Sequence, residues 1–431
     1  MKKIKLKSAS IILLCLVESA SASEPLALNE LLKTTLVKNQ ALKMYQCDVD
    51  IAKTEKSAAA GGFFPSIRFK GGYRSQSPEN YASKTLALQT GSQVERDRDL
   101  FSLSCEVESV LYSGGYTLAS YRLAGFEAKR KEAEYELKRR EIVFKVKDAY
   151  CKLQLSQEKI NDLKNAVEAC EEHNKIVEAK YKAHVILKTE LLFSNSELFA
   201  TKQKLSQAES DRLSAISQLS KLIDTDLPED SITAAQLNEE LGEPEYESIK
   251  KEMLETHPKI LIAEYDVNAA LMRMEMANSE YFRPKVKLAG NYNLSENIWF
   301  PQEDDWAVGI GVEIPFFAGG SSRAQIKKGK LNKEKAGVLK NYVRKELESD
   351  FEISVFQFNN ARENLSLAEL RLKEAIENMN ICRRGFKAGT TSNEQYLRSQ
   401  QHLTQSRIDK IESVYMLKKA RAEMEYYGGS N

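Results

Sequence analysis

The chain has 431 residues, enough for two or three ordinary domains or one elongated body. Lys+Arg (63) and Asp+Glu (62) nearly cancel, so nothing favours a polyanion such as nucleic acid as partner. Four histidines stand outside any HExxH or comparable spacing, and no phosphate-binding loop or nucleophile elbow occurs, so the sequence offers no catalytic, cofactor or metal residues.

The first 22 residues read as a secretory signal peptide. Lys2, Lys3, Lys5 and Lys7 form a basic head, Ile11 to Val17 a short apolar core, and Ala20-Ser21-Ala22 a small-residue cleavage site. Leu14 precedes Cys15 where a lipid-attachment signal needs a small residue, so N-terminal lipidation is not expected. The remaining cysteines, Cys47, Cys105, Cys151, Cys170 and Cys382, are scattered and odd in number, which suits small apolar fillers better than disulfides or a zinc site. No other apolar run reaches the ~18–20 residues of a membrane helix, so any membrane segment must be built of strands.

Residues 26–60 predict one helix, ended by Gly61-Gly62. From Ser66 the period falls to two, with Ile67, Phe69, Gly71 and Tyr73 on one face. Residues 74–99 have loop composition. A second strand follows, with Phe101, Leu103, Cys105, Val107 and Leu111 facing one way, closed by Ser113-Gly114-Gly115. Then comes a long heptad seam through Ile142, Val146, Ala149, Leu153, Ser156, Ile160, Leu163, Val167, Cys170, Asn174, Val177 and Tyr181. A break is predicted between His184 and Thr189, and residues 224–245 read as a linker.

Adding 205 to the seam numbers gives Leu347, Phe351, Ser354, Phe358, Ala361 and onward to Cys382 and Phe386, so the chain is a duplication. The second half, 246–428, repeats the plan of 23–223: a helix from about Tyr246 through His257-Pro258, then two strands and two long helices. Val286, Leu288, Gly290 and Tyr292 share one strand face, as do Trp306, Val308, Ile310 and Val312 on the next strand. Gly389 marks a helix stop, and Ser392 with Gln395 has capping-box spacing for the restart. Four strands cannot close a barrel, and open edges in lipid leave backbone groups unpaired, so a membrane barrel would require several chains. Three copies, giving twelve strands, leave room for a lumen. Phe69, Leu103, Leu288, Trp306, Val308 and Ile310 would then face lipid.

The duplicated order helix, strand, strand, long helix, turn, helix resembles the TolC family of outer-membrane efflux proteins over about residues 26–428. Its local marks are Phe64-Pro65 and Arg283-Pro284, Leu111-Tyr112-Ser113-Gly114-Gly115 and its partner Phe316-Phe317-Ala318-Gly319-Gly320, and the stretch from Gly385 to Leu397. The resemblance implies a mainly α fold with a small membrane β part: a homotrimer whose four strands per chain make a twelve-strand barrel in outer-membrane lipid above a periplasmic α-barrel. It further implies the exit duct of a tripartite efflux or type I secretion system, docked to a periplasmic adaptor (membrane fusion) protein and an inner-membrane pump of RND, ABC or MFS type. Adaptor contacts then fall on Lys182, Ala183, His184 and Thr189 at the first turn, and on Ala388, Gly389, Thr390, Ser392 and Leu397 at the second. The family's latch tyrosine falls on Phe386, and its entrance aspartates on Gln395 and Arg398 with Glu394 alongside, so either three copies of Arg398 make a cationic entrance or Arg398 turns outward and pairs with an acid on the neighbouring helix. The chain departs from the pattern at Asn39-Gln40, His184 and Asp224-Thr225-Asp226. The competing reading is a soluble periplasmic coiled-coil scaffold or adaptor, which explains the heptads but not four alternating strands bounded by glycines.

Overall fold

The computed structural model describes residues 28–75, 99–227, 245–296, 299, 304–314 and 320–428. The signal peptide expected over residues 1–22, most of the expected 74–99 loop and 224–245 linker, and Phe316 to Gly319 lie outside the described residues.

The first expected helix is two. α1 (Leu28–Lys38) and α2 (Gln40–Gly61) are separated by Asn39, whose extended ψ of 122° breaks the helix while its Oδ1 accepts from the backbone N–H of Leu42 at 3.1 Å. An asparagine competes with the helix for its own backbone, so it caps a restart where an alanine would have continued the run. The chain then enters β1 (Ser66–Ser75) and β2 (Asp99–Tyr112), and after Gly114 and Gly115 the long helix α3 (Tyr116–Lys182) and α4 (Lys188–Ile223).

The second half repeats this, break included. α5 (Tyr246–Thr256) and α6 (Pro258–Phe282) flank His257, which sits at ψ 129° because a residue before proline avoids the helical region. The His257 ring stands in for the asparagine side chain: its Nδ1 accepts from the N–H of Lys259 at 3.2 Å. β3 (Lys285–Glu296), β4 (Asp304–Glu313), α7 (Ser321–Ala388) and α8 (Asn393–Gly428) complete the chain.

The four strands form one antiparallel sheet in the order β1-β2-β3-β4. Register brings the apolar positions together: Phe69 opposite Cys105, Gly71 opposite Leu103, Leu288 opposite Ile310, and Tyr292 opposite Trp306. Leu103 lies opposite Leu294 across the β2–β3 join, so all four apolar strand faces make a single face of the sheet. The other face is polar and ion-paired, with Arg68–Glu108 at 3.1 Å, Lys70–Glu106 at 2.6 Å and Lys287–Glu108 at 3.3 Å. The ends of the strands that join helices, Ser66, Tyr112, Lys285 and Glu313, lie together at one end of the sheet.

Contact clustering divides the chain into two compact units. One takes α1, α3 from Val146, α4, α7 from Asn364 and α8 to Met416. The other takes α2, the start of α3, α5, α6, the sheet, α7 to Glu363 and the end of α8. The heptad seam is the core of both. Val146, Ala149, Leu153, Ile160 and Leu163 are buried in α3, and Leu347, Phe351, Phe358, Ala368 and Met379 in α7. The seam serines are buried without cost in unpaired groups, because Ser156 and Ser354 donate to the carbonyls of Leu153 (2.9 Å) and Phe351 (2.7 Å). Ile160, Leu163, Ala208 and Ile408 form one cluster, and Met253, Ile260, Leu347, Phe351 and Tyr427 another. Among the described residues no helix is long and apolar enough to cross a membrane.

Candidate functional site

The two helix turns fold alike on different residues. In the α7–α8 turn the N–H of Thr390 donates to the carbonyl of Gly385 at 2.9 Å and that of Gly389 to Phe386 at 3.3 Å, with Gly389 left-handed at φ 77°. In the α3–α4 turn Val185 donates to Lys180 at 3.0 Å and His184 to Tyr181 at 2.9 Å, with His184 left-handed at φ 58°. Both are the paired-bond termination that closes a helix with one residue at positive φ. His184 thus holds a glycine position with a full side chain. At Gly385 a side chain is excluded, since an added Cβ would collide with Thr391.

The restart of α8 is the reciprocal box expected from its spacing. Gln395 N–H donates to Ser392 Oγ at 3.2 Å, and Ser392 N–H to Gln395 Oε1 at 3.3 Å. Leu187 caps α4 without any side-chain bond.

Lys182, Ala183, His184, Thr189, Ala388, Gly389, Thr390 and Ser392 are all exposed. Leu397 differs: it is 1 % exposed and packs with Met379 and Tyr396, so it supports the turn from beneath and offers no contact surface. Phe386 is half-buried in the same cluster, with Lys180 Nζ 4.4 Å above its ring.

Sequence reasoning missed the group that ties these helices together. His173, on α3, is buried; its Nε2 lies 2.6 Å from Asn393 Oδ1 at the start of α8, and its ring stacks on Tyr396 at 4.3 Å and meets Phe386 at 5.0 Å. Asn393 Nδ2 donates in turn to the carbonyl of Glu190 at the start of α4 (3.3 Å). One asparagine therefore joins α3, α4 and α8. Burial lowers the His173 pKa below its usual value, the Asn393 hydrogen bond opposes that, and nearby Lys180 adds to it. The available signal was weak: His173 stands beside Asn174 in the seam, and Asn393 follows the cap serine.

At the expected entrance, Arg398 pairs with Glu394 one turn back on its own helix at 2.6 Å, both side chains being largely exposed. Arg398 therefore carries an acidic partner on its own helix. Gln395 is committed to the cap.

On the sheet, Phe69, Leu103, Trp306, Val308 and Ile310 are exposed and Leu288 is half-buried, all on the single apolar face. A two-layer protein would bury such a face against another element. Among the described residues the strands β1 and β4 are paired on one side only. A sheet with an exposed apolar face, an ion-paired polar face and helices at one end defines the class: a channel-forming membrane protein whose barrel is built of strands.

The model of the outer membrane efflux protein family matches residues 31–225 and 250–429, and the chain belongs to that family. It is accordingly an outer-membrane efflux channel protein with a long periplasmic helical portion, a passive duct and not an enzyme. Solved structures agree in fold. The outer membrane protein VceC of Vibrio cholerae superposes with a TM-score of 0.82 at 15% identity, over 94% of this chain and 96% of that one. The CmeC outer membrane channel of Campylobacter jejuni gives 0.81 at 16% identity, over 99% and 94%. The open state of the Neisseria gonorrhoeae MtrE outer membrane channel gives 0.78 at 15% identity, over 94% and 89%. A comparison with curated proteins finds no match.

Proposed function

We propose that three copies of this chain close side by side into a twelve-strand barrel and a helical duct, serving a tripartite efflux or type I secretion system with a periplasmic adaptor and an inner-membrane pump. The observation that carries this is the sheet itself: four strands, two open edges and one exposed apolar face. Each open edge presents unpaired backbone groups, which in lipid cost several kcal/mol apiece, on the order of the whole stability of a domain when summed. Pairing β4 of one copy with β1 of the next removes every edge.

The helices support the same closure. They follow the strands in order, α2 beside α3 through Lys53–Glu132 (3.1 Å), α3 beside α6 through Arg273–Glu127 (2.7 Å), and α6 beside α7 through Lys340–Glu264 (3.2 Å). The outermost two, α2 and α7, each carry an exposed apolar stripe: Met44 and Ile51 on α2, and Leu331, Val338 and Tyr342 on α7. In the closed ring these stripes meet, as the strand edges do.

The exposed turns, with Lys182, Ala183, His184, Thr189, Ala388, Gly389, Thr390 and Ser392, are the surface we assign to the adaptor. Gly389→Trp tests it. Membrane trimer of normal yield together with lost export supports the assignment, and unimpaired export in cells with no second duct of this class removes it. The wider reading is tested by extraction: a heat-sensitive oligomer released only by detergent is expected, whereas a folded monomer in an osmotic-shock fraction would favour the soluble scaffold.

A further inference from the structure

α7 carries nine cations between Arg323 and Lys345 against a single acid, Glu334. The corresponding start of α3 interleaves its cations with Glu127, Glu132, Glu134 and Glu136, and Arg130, Lys131, Lys138 and Arg139 all pair there. Of these nine, only Lys340 and Arg344 have acidic partners among the described residues, Glu264 and Glu348. The other seven meet no carboxylate within ion-pair distance among the described residues.

Their placement round the helix matters. At about 100° per residue, Gly329, Ala336, Lys340 and Val343 share the half-buried face that continues into buried Leu347 and adjoins α6. Opposite lies the exposed stripe Leu331, Val338 and Tyr342. Two faces remain between these. Arg323 and Lys330 occupy one; Lys328 and Lys335 occupy the other, beside a groove of 570 Å³ shared with α6, where Arg273 and Asp266 already pair with Glu127 and Arg130.

In the closed ring α6 covers the first flank and the neighbouring copy's α2 the opposite one. The two remaining faces then look into the duct and away from it. Each carries two cations with no carboxylate partner among the described residues of their own chain, so the duct receives such a pair from every copy whichever way the helix is turned. We propose that these cations form a belt near the helix-joined end of the barrel that concentrates anionic solutes, making carboxylate-, phosphate- or sulfate-bearing cargo the favoured class. The inference rests on the three-copy duct proposed above. Charges of one sign between low-dielectric walls focus their field into the lumen and raise local counter-ion concentration.

Purified trimer in planar bilayers under a KCl gradient tests this, together with blockade by inositol hexaphosphate added on the side of the strand loops. The expected result is a reversal potential on the chloride side at about 0.1 M salt that fades near 1 M, where the screening length falls from ~10 Å to ~3 Å. R323E/K330E and K328E/K335E each invert one face. A shift of reversal potential toward potassium, or a slower rate of blockade, in at least one pair supports the belt. R323Q/K330Q and K328Q/K335Q give the same reading if the inverted variants do not assemble. Unchanged reversal potential and unchanged blockade in both pairs, with conductance intact, overturn the belt alone; a purified trimer that does not conduct overturns the duct with it.

Discussion

His184 and Gly389 make the same turn, and only one of them does so without strain. A non-glycine residue at positive φ loses roughly 1 kcal/mol against glycine. His184→Gly is therefore expected to raise stability by about that amount, and Gly389→Ala to lower it similarly, the space round Gly389 being open. Denaturant unfolding of the two variants, or trypsin cleavage at the neighbouring lysines, measures the difference. The buried histidines act through protons. Burial, with Arg140 and Lys259 nearby, pushes His257 from its ordinary value down to about 3, and its Nδ1 can accept from Lys259 only while unprotonated. The unfolded chain then binds the extra proton between about pH 6.5 and 3, so His257 contributes stability above that window that is lost as pH falls through it. His173 adds loss in the same direction, beginning below its ordinary value. His257→Asn, which restores the cap chemistry of Asn39, is expected to flatten the acid limb of a stability–pH curve. An acid limb identical to that of the parent protein would show that His257 carries none of it.

The elements show where sequence patterns sufficed. Strand faces were legible because a two-residue period admits only two assignments, and one face was apolar in all four strands. The seam was legible because it occurs twice. The breaks at Asn39 and His257 were not, since apolar spacing continues across both, and the breaking agents are a single side-chain cap and a pre-proline backbone. Leu397 was misjudged for a related reason: proximity to a turn in sequence does not fix which side of the helix a residue occupies. The Arg398–Glu394 pair was readable from its four-residue spacing. Two tests belong here. Ser392→Ala removes one half of the cap and is expected to cost about 1 kcal/mol, seen as faster hydrogen exchange in the first turn of α8. Val308→Arg with Ile310→Arg places charge on the apolar sheet face at about 2–4 kcal/mol each near a bilayer midplane. Outer-membrane yield is expected to collapse, and normal yield would mean that this face does not meet lipid.

At the scale of the whole molecule, the exposed stripe of α2 contains a built-in probe. Cys47 is a free, exposed thiol lying beside Met44 and Ile51. The proposed ring would cover that stripe, so a maleimide is expected to label Cys47 in denatured or monomeric protein and to spare it in detergent-extracted trimer. Equal labelling of both would place α2 outside the contact between copies. Cys151 and Cys170 are already buried within one chain and cannot give this contrast.

The open edges of the sheet have a consequence in heredity as well as in chemistry. A subunit that completes its neighbour's sheet also commits its neighbour to its own defects. A variant that folds and assembles but fails at the turns, such as Gly389→Trp, is expected to be dominant. Made in equal amounts with the normal chain, it would leave only about one assembly in eight wholly normal if copies mix at random in a three-fold ring. Export in such a mixed cell should fall far below half, whereas a variant that never enters the ring, such as the doubly arginine-substituted strand, should be recessive.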